Sequence, residues 1–300
     1  MSRFHRILVA IDFSEQSDAA LRRATAIARD AKAVLHLVHA YEVPFASASP
    51  YGIEVAADLL DSVRDAGARR LEKDRAALKA AGLECQVHLP AAPASSAIVE
   101  TASAVDADLI VMGTHGLGGL QHVLLGSTAE RTVRLAPCPV LTVKAGVSAN
   151  EPFANILVPV DFSSHTEAAL AMAIDLAKES KGHVHLLHVY ELPTAATTYG
   201  VPLPSSVCTD IEAAVEMRML QLGDRLKSGG IPFTQETATA PVSDAILSAA
   251  RTLGTDLIVM GTRGRTGLKH VFLGSVAERT LRHAGCPVLT LNAREKSTTG

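Results

Sequence analysis

The sequence predicts an α/β protein built from two doubly wound, parallel-sheet halves. Three observations carry that expectation. Short apolar runs alternate with longer helical patterns along the chain, as in a parallel sheet whose strands are joined by crossover helices. One stretch occurs twice: residues 108–143 read DLIVMGTHGLGGLQHVLLGSTAERTVRLAPCPVLTV, residues 256–291 read DLIVMGTRGRTGLKHVFLGSVAERTLRHAGCPVLTL, and they agree without a gap at 26 of 36 positions. A hydrophobic content of 48% over 300 residues suffices for two domains that each bury a core.

Taken in order, residues 6–11 (RILVAI) form the first strand, and Asp12-Phe13-Ser14 leads at once into a helix from Ser14 to Ala31. Residues 33–41 (AVLHLVHAY) are the second strand, followed by a Pro- and Ser-bearing loop at 42–52, long enough to act as a flap. A charged, alanine-rich helix runs over 54–81 and stops at Gly82. A strand at 83–89, a helix at 95–105, a strand at 108–112, a helix at 127–135 and a strand at 140–144 complete the set. The polar segment AGVSANEPFA then marks a boundary, with domains expected at 1–146 and 155–300 and a linker at 147–154.

The order then restarts. Asn155–Val160 and Asp161-Phe162-Ser163 echo the first strand and its Asp-Phe-Ser, and His183–Tyr190 echoes the second. A proline-bearing loop at 192–204 precedes a helix over about 207–228. Segments 232–237, 242–253 and 256–260 lead to the second glycine-rich loop, the 275–283 helix and the run VLTL. Pro159 cannot donate to a sheet ladder, so it is expected at the strand's C-terminal end, where pairing runs out.

The repeated stretch carries the chemistry. Each copy is a strand, then Gly-x-x-Gly, nine residues, and Gly-Ser opening a helix: Gly113, Gly116, Gly126 and Ser127, then Gly261, Gly264, Gly274 and Ser275. Glycine permits positive φ and close backbone approach to a ligand, and a helix N-terminus offers unpaired N–H groups and a positive dipole end. The pattern suits an anion such as phosphate. Ser127 and Ser275 are expected either to cap their helices or to give a hydroxyl to that anion. Asp12 and Asp161 could contact a ligand or cap the helices that follow them.

Composition narrows the classes. A net charge of −3 and a pI near 6.5 give no basic field for nucleic acid or anionic membrane. No apolar run approaches a membrane span and the start MSRFHR is not a signal peptide, so a cytoplasmic location is expected. Cys85, Cys138, Cys208 and Cys286 form no Cys-x-x-Cys pair and are expected as buried reduced thiols. His36 and His39, like His185 and His188, are three apart on strands and so point to opposite faces. His183 and His185 share a face but lack a third ligand, so no metal site is expected. Arg131, Arg134, Arg279 and Arg282 are expected on solvated or salt-bridged helix faces, and no Walker lysine follows either loop.

With its paired Gly-x-x-Gly, nine residues, Gly-Ser, its lead-in DLIVMG and an Asp directly after the first strand of each half, the chain resembles the universal stress protein family in its tandem form. The resemblance implies two five-stranded sheets of order 3-2-1-4-5, adenine nucleotide alpha hydrolase-like, paired about a pseudo-two-fold through the fifth strands. It implies ATP, with or without Mg2+, as cofactor. Asp12 would contact the nucleoside beside Ala10 and Ile11, and Ala40 would line the adenine pocket through its backbone. Gly113, Gly116, Gly126 and Ser127 would surround the phosphates, with His115 near ribose or phosphate and Met112 and Thr128 as further binding residues. In the second half the counterparts are Pro159, Val160, Asp161 and Val189, then Met260, Gly261, Arg263, Gly264, Gly274, Ser275 and Val276. The implied partners are the adenine nucleotide, the other half of the chain and, in a homodimer, a second copy. The implied role is a nucleotide-dependent regulator in stress response with little or no catalysis. A slow ATPase or autophosphorylating enzyme is the alternative.

Overall fold

The computed structural model describes residues 3–41, 57–116, 125–147, 152–190, 205–264 and 273–292. The loops expected at 42–52 and 192–204, most of both nine-residue spacers and part of the linker lie outside the described residues. The chain divides into two compact units, 1–150 and 151–300.

The first unit runs β1 (Arg6–Ala10), α1 (Glu15–Ala31), β2 (Val34–Val38), α2 (Ala57–Ala80), β3 (Cys85–His88), α3 (Ala94–Ala104), β4 (Leu109–Gly113), α4 (Ser127–Leu135) and β5 (Val140–Val143). Its strands pair in parallel in the order β3-β2-β1-β4-β5. The second unit repeats this as β6 (Asn155–Val160), α5 (Ser164–Ser180), β7 (His183–Val189), α6 (Ser205–Ser228), β8 (Phe233–Ala238), α7 (Val242–Thr252), β9 (Leu257–Gly261), α8 (Ser275–His283) and β10 (Val288–Leu291). Its parallel order is β8-β7-β6-β9-β10.

A parallel sheet covered on both faces needs apolar side chains on both, so its strands are continuous apolar runs. Ile7, Leu8 and Val9 of β1, and Ile156, Leu157 and Val158 of β6, are accordingly shut off from solvent. The helices begin and end on local signals. Ser14 caps α1 by accepting from the Ser17 N–H, and Ser163 caps α5 by accepting from Thr166. Both helices close at a lysine in the left-handed region, Lys32 (φ 54°) and Lys181 (φ 54°).

The Asp of each DLIVMG lead-in fastens the central strands together at their start. Asp108 accepts the His5 N–H (2.7 Å) and the Arg6 N–H (3.1 Å), and Asp256 accepts those of Ala154 (2.8 Å) and Asn155 (2.9 Å). Pro159 stands inside β6 opposite Leu187, one residue before the strand's end. On the other side β9 pairs only with Ile156 and Leu157, so the missing donor falls where that ladder has stopped.

Candidate functional site

β1 lies between β2 and β4, and its C-terminal end is where the chain's two windings diverge. A crevice opens there in any doubly wound sheet. The turn Asp12-Phe13-Ser14 forms one wall. Asp12 Oδ1 accepts from the Ser14 N–H (3.0 Å) and from Ser14 Oγ (2.6 Å), while Ser14 Oγ accepts from the Ser17 N–H (3.2 Å). The serine is therefore the cap of α1 and the aspartate orients it, which corrects the capping alternative for Asp12. Asp161 holds Ser163 at the same distances, 3.0 and 2.6 Å, and also accepts from Thr166 Oγ1 (2.7 Å).

The turn depends on an uncommon backbone. Phe13 has φ 64° and Phe162 φ 60°, left-handed values that are outliers for bulky residues. Each ring is held in place. Phe13 packs on His39 at 4.4 Å between centroids, with the Arg70 guanidinium carbon 4.0 Å from its centroid. Phe162 packs on His188 at 4.3 Å, with Arg218 at 5.4 Å. His39 donates through Nδ1 to the Ile11 carbonyl (2.8 Å), and His188 does so to Val160 (2.7 Å), so each histidine ties the end of β2 or β7 to the turn.

The opposite wall comes from β4 and α4. Gly126 is the N-cap of α4 at φ −63°, ψ 142°, and Gly274 the N-cap of α8 at φ −64°, ψ 139°, both extended values open to any residue. Neither cap has a side chain to bond the helix. Ser127 and Ser275 are the first helical residues, which corrects the capping alternative for them. The expected use of positive φ is also corrected, because none of the motif glycines has it. Close approach explains them instead. A Cβ on Gly116 would stand 2.4 Å from Asp12 Oδ2, and one on Gly264 would stand 2.9 Å from Asp161 Oδ2. A Cβ on Gly126 would lie 3.2 Å from the Thr114 carbonyl oxygen, the atom to which the Gly126 N–H donates at 2.9 Å.

Helix geometry leaves the first-turn N–H groups of Ser127, Thr128 and Ala129, and of Ser275, Val276 and Ala277, without intrahelical partners. They edge a cavity of about 570 Å³ in the first unit and about 530 Å³ in the second. In the first, Ala10, Ile11, Asp12, Ala40, Met112, Gly113, His115, Gly116, Gly126, Ser127 and Thr128 come together, every residue named from the sequence for that half. In the second, Pro159, Val160, Asp161, Val189, Met260, Gly261, Arg263, Gly264, Gly274, Ser275 and Val276 do the same. Sequence reasoning missed Ile98 and Ile246, which close the apolar end from α3 and α7, as well as His39 and the buried Thr114 and Thr262. The repeat holds the missed signal: each isoleucine and threonine recurs at the matching place in the other half.

The other candidates have structural partners. His36 Nδ1 lies 3.1 Å from His88 Nε2, and His183 and His185 share a face with ring centroids 4.5 Å apart. Among the described residues no group of three or more His, Cys, Asp or Glu could hold a metal ion. Only Cys85 is buried, where burial pushes its thiol up to about 11. Cys138, Cys208 and Cys286 form no disulfide and are half-buried, a correction to the expectation of burial for all four. Arg279 pairs with Asp244 (2.9 Å) and Arg282 with Glu278 (2.6 Å), as expected for salt-bridged helix faces.

Each unit is thus a doubly wound α/β module with a cleft at the switch point between its first and fourth strands. The chain belongs to the universal stress protein family, whose sequence model matches residues 3–144 and again 152–292. It is 29% identical over 300 residues to universal stress protein Rv2623 of Mycobacterium tuberculosis, covering 97% of each chain. It is 31% identical over 193 residues to universal stress protein Rv2005c of the same organism, 61% of this chain and 61% of that one, so it spans about three fifths of that relative's length. A crystal structure of a universal stress protein from Archaeoglobus fulgidus shares the fold, with a TM-score of 0.73 at 22% identity over 97% of this chain and 99% of that one. Among the described residues no helix is long and apolar enough to cross a membrane.

Proposed function

We propose that each cleft binds an adenine nucleotide, ATP with or without Mg2+, and that occupancy regulates the protein in a cytoplasmic stress response with little or no turnover. The observation that carries this reading is the repeated juxtaposition of the Asp carboxylate, the Gly-x-x-Gly backbone and three first-turn helix amides around one cavity. The volumes of about 570 and 530 Å³ lie within the range of roughly 300–1,000 Å³ usual for small-ligand sites. The linings divide chemically. Ile11, Val38, Ile98 and Met112 offer an apolar pocket for a base, as do Val160, Leu187, Ile246 and Met260. The amides of Ser127–Ala129 and Ser275–Ala277 would take phosphate oxygens, and Asp12 and Asp161 would take nucleoside hydroxyls. Mg2+ would be held mainly by the phosphates and water.

One sample is denatured to identify any nucleotide that copurifies, and a second is stripped of it by denaturation and refolding. Calorimetric titration of the stripped protein with MgATP should then give a stoichiometry near two, with thermal stabilisation. No heat and no stabilisation would overturn the reading. Turnover above roughly one per second, the low end of ordinary enzymes, would replace regulation by catalysis.

The same reading includes edge-to-edge pairing of the two halves through β5 and β10, supported by their nearly identical sequences VLTV and VLTL. Cysteines at Thr142 and Thr290, with the four native cysteines replaced, should crosslink within one chain at high dilution. Failure to do so, with independent tumbling of the halves by NMR relaxation, would rule the pairing out.

A further inference from the structure

The duplication provides an internal control for one exposed face. α2 and α6 are equivalent 24-residue helices that align at an offset of 148, with Leu71 and Leu78 of α2 buried like Met219 and Leu226 of α6. On the solvent side the two differ. α2 exposes Asp65, Arg69 and Glu72, the ordinary furnishing of a wet helix face. At the same three places α6 exposes Ala213, Met217 and Leu220, with Met217 62% and Leu220 52% accessible.

These α6 residues sit at spacings of four and three, so they form one stripe along the helix. At about 100° per residue the stripe lies opposite the buried Met219, Leu222 and Leu226. It has not been recruited to the unit's own core. Contiguous apolar surface rimmed by polar groups is the kind of surface on which partners dock.

The charges beside the stripe identify the occupant. On one flank the exposed Glu212 and Glu216 lie toward the N-terminus and the exposed Lys227 toward the C-terminus, all within about 60° around the helix. A two-fold axis perpendicular to the helix, passing between Met217 and Leu220, lays this flank of one copy on the same flank of the other with direction reversed. Met217 then meets Leu220 of the second copy, and Glu212 lies about 3 Å along the axis from its Lys227, with Glu216 about one turn further on. Ala213 faces Asp224 of the second copy, and its small side chain leaves room for water. Parallel pairing would instead bring Asp224, which lies in the stripe, against Asp224 of the second copy. We propose that the outer face of α6 is a self-association surface, on which two copies of this chain dock antiparallel around Met217 and Leu220. This inference is independent of nucleotide binding.

The test uses the full-length chain in sedimentation-velocity and light-scattering runs across a concentration series. The wild type should dimerise reversibly. Met217→Glu with Leu220→Glu should raise the dimer dissociation constant roughly 100-fold, the scale of a central interface anchor, with circular dichroism and melting temperature unchanged. Lys227→Glu alone should weaken the dimer, and adding Glu212→Lys and Glu216→Lys should restore it. Met217→Cys in a background lacking the native cysteines supplies a readout that survives poor behaviour of the acidic variants, since it should oxidise to a covalent dimer. A wild type that stays monomeric would overturn the proposal, whether the stripe proves to be covered by residues 191–204 or by another protein. So would a dimer that ignores all of these substitutions.

Discussion

In the first cleft the residue after Thr114 is His115, whose Nδ1 lies 2.9 Å from Thr114 Oγ1; in the second the residue after Thr262 is Arg263, a permanent cation. Gln16 approaches the first glycine loop and accepts the Ala145 N–H through Oε1 (2.6 Å), and His165 stands in its place in the second. Ser17 Oγ donates to the Ser14 carbonyl (3.0 Å), whereas Thr166 Oγ1 donates to the Asp161 carboxylate (2.7 Å). Thr128 in the first α4 turn becomes Val276 in α8. Meanwhile the backbone is conserved between the units to within a few degrees at the caps and at the strained phenylalanines. A cradle made of backbone amides and of glycines that could not bear a Cβ leaves side chains free to diverge in charge. The two sites should therefore bind the same ligand class with different strengths.

The most disruptive way to break the equivalence is to fill a cradle. Gly116→Ala would place a Cβ 2.4 Å from Asp12 Oδ2, against 2.9 Å for Gly264→Ala beside Asp161. Overpacking costs about 1–3 kcal/mol, so each variant should lose its own site by roughly 10- to 100-fold, with Gly116→Ala the more severe. Calorimetric stoichiometry should fall from two toward one. Two unaffected sites would show that the glycine loop is not the cradle.

Charge comes next. Arg263→Ala should weaken the second site for ATP by about 1.5–3 kcal/mol, the worth of a charge-assisted hydrogen bond, and weaken it less for a nucleoside monophosphate. His115→Ala should cost the first site less than that. His115→Arg should draw the first site toward the second. Equal losses from Arg263→Ala and His115→Ala would remove the asymmetry.

A hydroxyl is worth less. Thr128→Val should lower first-site affinity by about 0.5–1.5 kcal/mol and Val276→Thr should raise the second by a similar amount, if those hydroxyls reach the phosphates. No change in either variant, by the same titration, would show that the helix amides act alone.

The smallest effect is on stability. Burial holds the imidazoles of His36 and His88 below their ordinary value of 6.5, with the neighbouring His88 and Arg6 adding to the effect at His36. Their folded values are depressed, so as pH falls below about 6.5 the unfolded state takes up protons first and the native state loses ground. The stability is present above 6.5 and is lost down through the folded values. Melting temperature should drop between pH 7.5 and 5.5, and His36→Gln with His88→Gln should flatten that drop. An unchanged pH slope would show that the pair is protonation-neutral in both states.

Much of this was legible in the chain. The helices at 127–135 and 275–283 and the strand at 155–160 stand where their sequence patterns put them, because each depends on a local apolar pattern, with glycine opening both helices. Ends that rest on neighbours moved. The strand expected at 33–41 pairs as β2 over Val34–Val38, and beyond it only single contacts continue toward β3: the His39 N–H donates to the His88 carbonyl (3.0 Å) and Tyr41 bridges Ala91. No propensity announces a left-handed phenylalanine, so Phe13 and Phe162 read as ordinary turn residues.

The sequence by itself determined the duplication and the order of the elements, which follow from a repeat and from hydrophobic period, and its family resemblance pointed to many of the residues that gather at each cleft. Only the tertiary structure decided what those residues do there. Gly116 is required because Asp12, 104 positions away in the chain, projects an oxygen into the space a side chain would fill. Ser127 opens its helix without capping it because Gly126 must pass close to the Thr114 carbonyl first. The exposure of Met217 and Leu220 follows from which side of α6 the sheet has claimed. Such outcomes depend on distances between segments remote along the chain, and periodicity along the chain does not encode them.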